Sequence, residues 1–151
     1  MSKFLDLAID LALENVAEGG TPYGAVVVKD DEVIGKGVNT MHRKPDIAGH
    51  AELVAIREAQ EKLGRIDLSD CTVYASGHPC PMCLGSIALS GIKKVVYANS
   101  VADAANAQMP LTQNIYNYLK GDLQAIELEI THEPITDDSR NPMKAYITKK
   151  G

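Results

Sequence analysis

The chain has 151 residues, a formal net charge of −5, 45 % apolar residues and 23 % charged ones. That length suits one domain with an ordinary core, and the balance is that of a globular protein rather than a disordered or fibrous one. The acidic excess argues against a nucleic-acid backbone as main partner, since phosphate contacts call for a basic surface, and no apolar run approaches the roughly 18–20 residues a membrane span needs.

Asp6 and Asp10 interrupt the first apolar segment, which therefore does not read as a signal peptide. Ser2 is expected to cap a helix from about Lys3 to Glu18, with Leu5, Ile9, Ala12 and Val16 as its buried stripe and Gly19-Gly20 as its stop. This helix reads as a wall of the core without a functional part. Ala25 to Val28 then forms a strand, and Asp30-Asp31 turns the chain back into Val33 to Val38 as a hairpin. Gly24 lets a ligand or another backbone come close. Asn39 follows the second strand, either as a turn residue or with its amide facing a pocket.

Met41 to Ala48 is polar, contains Pro45 and reads as a loop. A helix is expected from about His50 to Leu63, with Leu53, Val54, Ile56 and Arg57 beginning a mixed face and Gly64 closing it. His50 and Glu52 fall in its first turn. Residues two apart do not share a helix face, so the spacing suits one metal ligand and one base approaching from another side. The helix N-terminus is expected to favour ionised Glu52.

Cys71 to Ser76 reads as a buried strand, with Cys71 as a small core residue. Gly77-His78-Pro79 breaks it, and Pro81 suits the first position of a helix to about Ser90. Cys80 and Cys83, three apart at that helix start, can share one metal ion, and the helix dipole stabilises their thiolates. Lys93 to Ala98 is the next strand, so the element order predicts a largely parallel sheet with the first hairpin antiparallel at one side. Further on, Val101 to Met109 is small and polar, Leu111 to Leu119 suits a helix, and Ala125 to Ile130 alternates like a fifth strand. His132, Glu133, Asp137 and Asp138 crowd a turn-rich stretch before Asn141-Pro142, and a short basic tail ends the chain.

A lone C-x-x-C fits a redox pair or a structural zinc equally well. His50-Ala51-Glu52 followed by Pro79-Cys80-Pro81-Met82-Cys83 is far more specific. Three protein ligands, His50, Cys80 and Cys83, leave one corner of a tetrahedral zinc open, which marks a catalytic rather than a structural site. Glu52 is then the base beside the water, and the pairing H-x-E with P-C-x-x-C is the signature of nucleobase deaminases. His78 is the nearest candidate for a fourth ligand, though its convergence with Cys80 is awkward. Three cysteines, two of them in this motif, suit a reducing cytoplasm.

From Pro22 to Ala107 the chain resembles the cytidine and deoxycytidylate deaminase superfamily, in particular its bacterial guanine deaminase and tRNA adenosine deaminase branch. Pro22-Tyr23-Gly24-Ala25, Gly37-Val38-Asn39, His50-Ala51-Glu52 and Pro79 to Gly85 carry the likeness. The resemblance implies a three-layer α/β/α sandwich, here with a five-stranded mixed sheet, a zinc hydrolase and a homodimer or larger oligomer. It implies that Asn39 hydrogen-bonds the base and that Tyr23, Gly24 and Ala25 line the pocket, with Ala51, His78 and Glu133 as further candidate contacts. Ala102-Asp103-Ala104-Ala105 resembles guanine deaminases, which implies substrate binding by Asp103. His78 stands where these relatives usually carry a glutamate, and their C-terminal segment, here about 132–151, reaches a neighbouring subunit. Deamination of a nucleobase, best matched by guanine, is therefore expected. A tRNA adenosine deaminase, a cytosine or other heterocycle deaminase, and a zinc-bearing accessory subunit without turnover are the rival readings.

Overall fold

A computed structural model describes residues 2–120 and 133–150. The backbone falls into two compact units, 1–120 and 121–151. In the first, α1 (Lys3–Ala17) precedes β1 (Gly24–Lys29) and β2 (Glu32–Val38), and α2 (Ala51–Leu63) precedes β3 (Thr72–Gly77). Then come α3 (Pro81–Leu89), β4 (Lys94–Asn99), α4 (Val101–Asn106) and α5 (Leu111–Lys120). In the second unit a 3-10 turn at Asp138–Arg140, capped by Asp137, leads into α6 (Pro142–Lys150). The expected strand at 125–130 lies outside the described residues.

The four described strands form one sheet in the order β2-β1-β3-β4. β1 pairs antiparallel with both β2 and β3, and only β3 and β4 pair in parallel. The expectation of a largely parallel sheet is thus corrected. Three strands do run the same way, but the hairpin strand β1 lies between them and reverses two of the three pairings. The hairpin turns on Asp30 and Asp31, both left-handed with φ of 49° and 59°, a conformation short acidic side chains tolerate and β-branched ones do not.

Helices cover both faces, giving three layers. Ala25, Val27, Val73 and Ala75 pack beneath Ala51, Ala55, Ile56 and Ala59 of α2 and Ile87 of α3. Val26 and Val28 pack on the other face against Phe4, with Leu7 and Leu11 of α1 partly buried beside them. Fully buried valines of this kind each stabilise the fold by about 1.5–3 kcal/mol.

Small residues decide how the helices sit. A Cβ on Gly24 would run into the Ala8 carbonyl and the Ala12 amide of α1, and one on Gly37 into the Ala51 carbonyl and the Ala55 amide of α2. The expected stripe of α1 is accordingly rotated: Phe4, Leu5, Ala8, Ala12 and Asn15 are buried, whereas Val16 is 49 % exposed. α2 likewise turns Ala51, Ala55 and Ala59 to the sheet and leaves Arg57 exposed. A bulge at Val27/Val28 lets the consecutive residues Ile34 and Gly35 both face α2. Close backbone contact over alanine and glycine wins over the larger apolar side chains.

Replacing Gly37 by alanine is therefore expected to lower stability by about 1–3 kcal/mol, because neither the α2 backbone nor the paired strand can yield. Urea unfolding of the two proteins measures it, and an unchanged midpoint contradicts the close-packing account.

Candidate active site

The local folding rules place the site. β2 and β3 end on the same side of the sheet, and each is followed by a helix whose first residues carry the motif. His50 is the N-cap of α2 with extended backbone (φ −82°, ψ 148°), yet its side chain makes no capping bond. Cys80 caps α3 just ahead of Pro81, and its sulfur accepts from the Cys83 backbone N–H at 3.5 Å. His50 Nδ1 lies 3.5 Å from each of the two Sγ atoms, which are themselves 3.5 Å apart. Ligands at zinc distances of about 2.0–2.3 Å on three corners of a tetrahedron sit roughly 3.6–3.8 Å from one another. The triangle therefore fits a zinc ion with one corner left over, and among the described residues this is the one such cluster.

The charge balance of the triangle suits a cation. Cys80 is pulled down to about 4, first by its side-chain hydrogen bond with Cys83 and then by His50 and the Cys83 backbone amide. Cys83 is pushed up, first by the same pairing with Cys80 and then by burial. His50 is raised, chiefly through its hydrogen bond to Cys80. A dication that displaces these shared protons leaves two thiolates and a neutral imidazole, the forms that bind metal. Cys71, buried and with its thiol pushed up to about 11 by desolvation and then Asp70, is no part of this cluster.

Glu52 is 4 % exposed at the start of α2. Its pKa is raised, foremost by burial, with a hydrogen bond from Cys83 working the other way. The helix N-terminus was expected to favour ionised Glu52, and burial acts against that form. Water is excluded more thoroughly than the dipole can offset, which suits a carboxyl that must both take and return a proton.

A cavity of about 320 Å³ opens over these groups, lined among others by Tyr23, Asn39, Ala51, Glu52, His78 and Cys80. Asn39 combines both sequence readings. Its Oδ1 accepts from Met41 N–H at 3.0 Å as in a turn, and its amide nitrogen has no partner among the described residues and borders the cavity. Tyr23 lies with its hydroxyl 4.0 Å from Met109 Sδ, and its pKa is raised, first by burial and then by Glu52.

Other expected contacts in the first unit are not brought here. Gly24 and Ala25 are corrected: Gly24 is packed against α1 and Ala25 is fully buried in the core under α2. Asp103 belongs to a neighbouring cavity of about 280 Å³, where its carboxylate is engaged by Ser100 N–H and Oγ in a capping box. That engagement lowers its pKa. Glu133 is exposed in the second unit. His78 is no fourth ligand, since neither of its ring nitrogens joins the His50, Cys80 and Cys83 cluster; its Nδ1 is 2.9 Å from the Pro79 carbonyl.

Sequence reasoning missed Asn15, the polar residue in the buried stripe of the helix read as mute. Its Nδ2 donates to the carbonyls of Thr21 at 2.8 Å and Asn39 at 3.0 Å, while Asn39 N–H donates to Tyr23 O at 3.2 Å. Asn15 thereby ties together the two loops that carry Tyr23 and Asn39. An asparagine at an otherwise apolar heptad-spaced position was the available signal. Met109, Leu111 and Tyr116 were missed because their neighbourhood depends on where α5 packs.

The comparisons agree with this geometry. Residues 1–99 match the cytidine and deoxycytidylate deaminase zinc-binding region. The chain is 48 % identical over 105 residues to guanine deaminase of Bacillus subtilis strain 168, covering 69 % of this chain and 67 % of that one. The X-ray structure of guanine deaminase from Bacillus subtilis superimposes with a TM-score of 0.89 at 37 % identity, covering 98 % and 95 % of the two chains. A tRNA-specific adenosine deaminase of Streptococcus pyogenes is 29 % identical over 144 residues, covering 95 % of this chain and 87 % of that one.

Two substitutions check the construction. Cys83→Ala is expected to lose stoichiometric zinc, read by metal analysis of the purified protein, and retention of one zinc per chain contradicts the ligand set. Asn15→Ala takes the side-chain donor from the buried Asn39 carbonyl and leaves the Thr21 carbonyl with the Tyr23 N–H alone, and should cost about 1–3 kcal/mol in urea unfolding. With its His-Cys-Cys triangle, a buried glutamate beside it and two thirds of its length matched, the chain belongs to the zinc-dependent cytidine and deoxycytidylate deaminase family.

Proposed function

We propose that this hydrolytic deaminase acts on guanine or a close aminated purine, giving xanthine and ammonia from guanine and water. The observation that carries the reading is the similarity to Bacillus subtilis guanine deaminase along most of the chain, around a cavity large enough for a purine base. His50, Cys80 and Cys83 hold the zinc, which when bound supplies the Lewis acidity that brings proton loss from water towards neutral pH. Glu52 takes the proton of the attacking water and returns protons to the ring nitrogen and to the departing amine, so that one C–N bond breaks as one C–O bond forms. Asn39, with its oxygen engaged by Met41, offers its NH₂ to an acceptor on the base, and Tyr23 and Ala51 bound the ring.

The same reading makes 1–151 a single deaminase domain that forms a homodimer in the cytoplasm, with the segment from about 132 contacting the neighbouring subunit. No helix among the described residues is long and apolar enough to cross a membrane. A tRNA wobble adenosine deaminase is the second reading, favoured by the similarity to the Streptococcus pyogenes enzyme. The net charge of −5 weighs against a polynucleotide substrate.

Ammonia release from guanine by the zinc-loaded protein is the direct test, with inosine formation in an anticodon stem-loop as the alternative readout. No ammonia above an enzyme-free control removes guanine. Glu52→Gln should keep its zinc and lose about 10²- to 10⁴-fold in turnover, and a variant of unchanged rate would sink the assigned proton shuttle.

A further inference from the structure

His78 is the motif residue that the reaction leaves without a task. It follows β3, on the wall shared by the two cavities. Its Nδ1 lies 2.9 Å from the Pro79 carbonyl oxygen. A carbonyl oxygen only accepts, so Nδ1 carries the hydrogen, and in the neutral ring Nε2 is an acceptor. The Tyr116 hydroxyl donates to the same carbonyl at 2.6 Å. Tyr97 and Tyr116 meet the imidazole edge-on, with ring centroids 4.7 and 5.6 Å away. The ring is thus oriented by three neighbours, and Nε2 has no hydrogen-bond partner among the described residues. Glu52 is the one carboxylate among the described residues lining the catalytic cavity, because Asp103 lies in the other cavity and is tied to Ser100.

We propose that His78 is a specificity-determining residue whose Nε2 accepts a hydrogen bond from a ring N–H of the substrate. The inference rests on the deaminase reading above and narrows it to aminated heterocycles that carry such a group. One acceptor lone pair reads a single donor, whereas a carboxylate can read two adjacent ones. Guanine has ring N–H groups at N1 and N9. Adenosine has none, so the orientation of His78 selects against it. A site that hydrogen-bonds a substrate N–H rejects analogues lacking it far more strongly than an apolar wall rejects a change of size.

The test compares zinc-loaded wild type, His78→Phe and His78→Gln on guanine, 1-methylguanine and 9-methylguanine, with kcat and KM separated. Phenylalanine keeps the edge-on packing between the tyrosines but has no acceptor, and glutamine restores an acceptor oxygen. His78→Phe is expected to raise KM for guanine about 10- to 100-fold with a smaller change in kcat, and His78→Gln to recover much of it. Methylation at one of the two nitrogens should penalise wild type much more than His78→Phe. Equal methylation penalties in the two proteins overturn the proposal, as does a glutamine variant no better than phenylalanine. Should His78→Phe lose zinc or cooperative unfolding, the wild type and His78→Gln decide alone, and a wild type indifferent to both methylations overturns it. Wild type that releases no ammonia from guanine fails the substrate reading first and takes this inference with it.

Discussion

The close approach of α2 to β2 is the constraint on which the site depends. Ala51, Ala55 and Ala59 repeat every four residues along one face of the helix, and Gly37 and Gly35 repeat every two along the strand. Their registers match, so backbone lies on backbone with no side chain between. The helix start is thereby held at a fixed depth beside the strand end. His50 and Glu52 flank Ala51, the residue whose carbonyl Gly37 accommodates, and they inherit that depth. A larger residue anywhere in this seam would lift His50 and Glu52 together.

Two opposing electrostatic demands meet at that depth. A cation is best held by thiolates, and Cys80 has a strongly lowered pKa, first through its hydrogen bond with Cys83 and then through His50 and the Cys83 backbone amide. Burial, by contrast, raises Glu52 and favours its neutral carboxyl. The fold meets both by putting Cys80 at a partly exposed helix cap and Glu52 in the first turn of α2, where it is buried. Cys83, fully buried, links the two through its contacts to Cys80 and Glu52.

The rest of the cavity wall is assembled from segments far apart in sequence. Asn15 on α1 braces Asn39 and the loop before β1, the carbonyl of Pro79 orients His78, and Tyr116 on α5 reaches back to that same carbonyl. The candidate metal ligands and Glu52 thus come from two helix starts, and much of the remaining cavity wall comes from loops and from the start of α5.

Much of this was legible from residues alone. Helix starts at Ser2, His50 and Cys80, the Asp30-Asp31 hairpin and the metal set follow from local rules, because caps, turns and ligand spacing act over three or four neighbours. The position of β1 between β2 and β3 is not local, since a periodic strand pattern carries no information on which neighbour it pairs with, and the sheet became more antiparallel than its element order suggested. The helix faces turned for a related reason: Ile9 and Val16 outweigh Ala8 and Ala12 in hydrophobicity, but only the packed sheet reveals that Gly24 waits opposite the alanines. Asp103 looked like a pocket acid in its tetrapeptide, and its capping bond to Ser100 beside a different cavity emerged once α4 was in place. Local chemistry therefore marked the candidate metal ligands and Glu52, and long-range packing, which depends on shapes meeting from distant segments, chose what surrounds them.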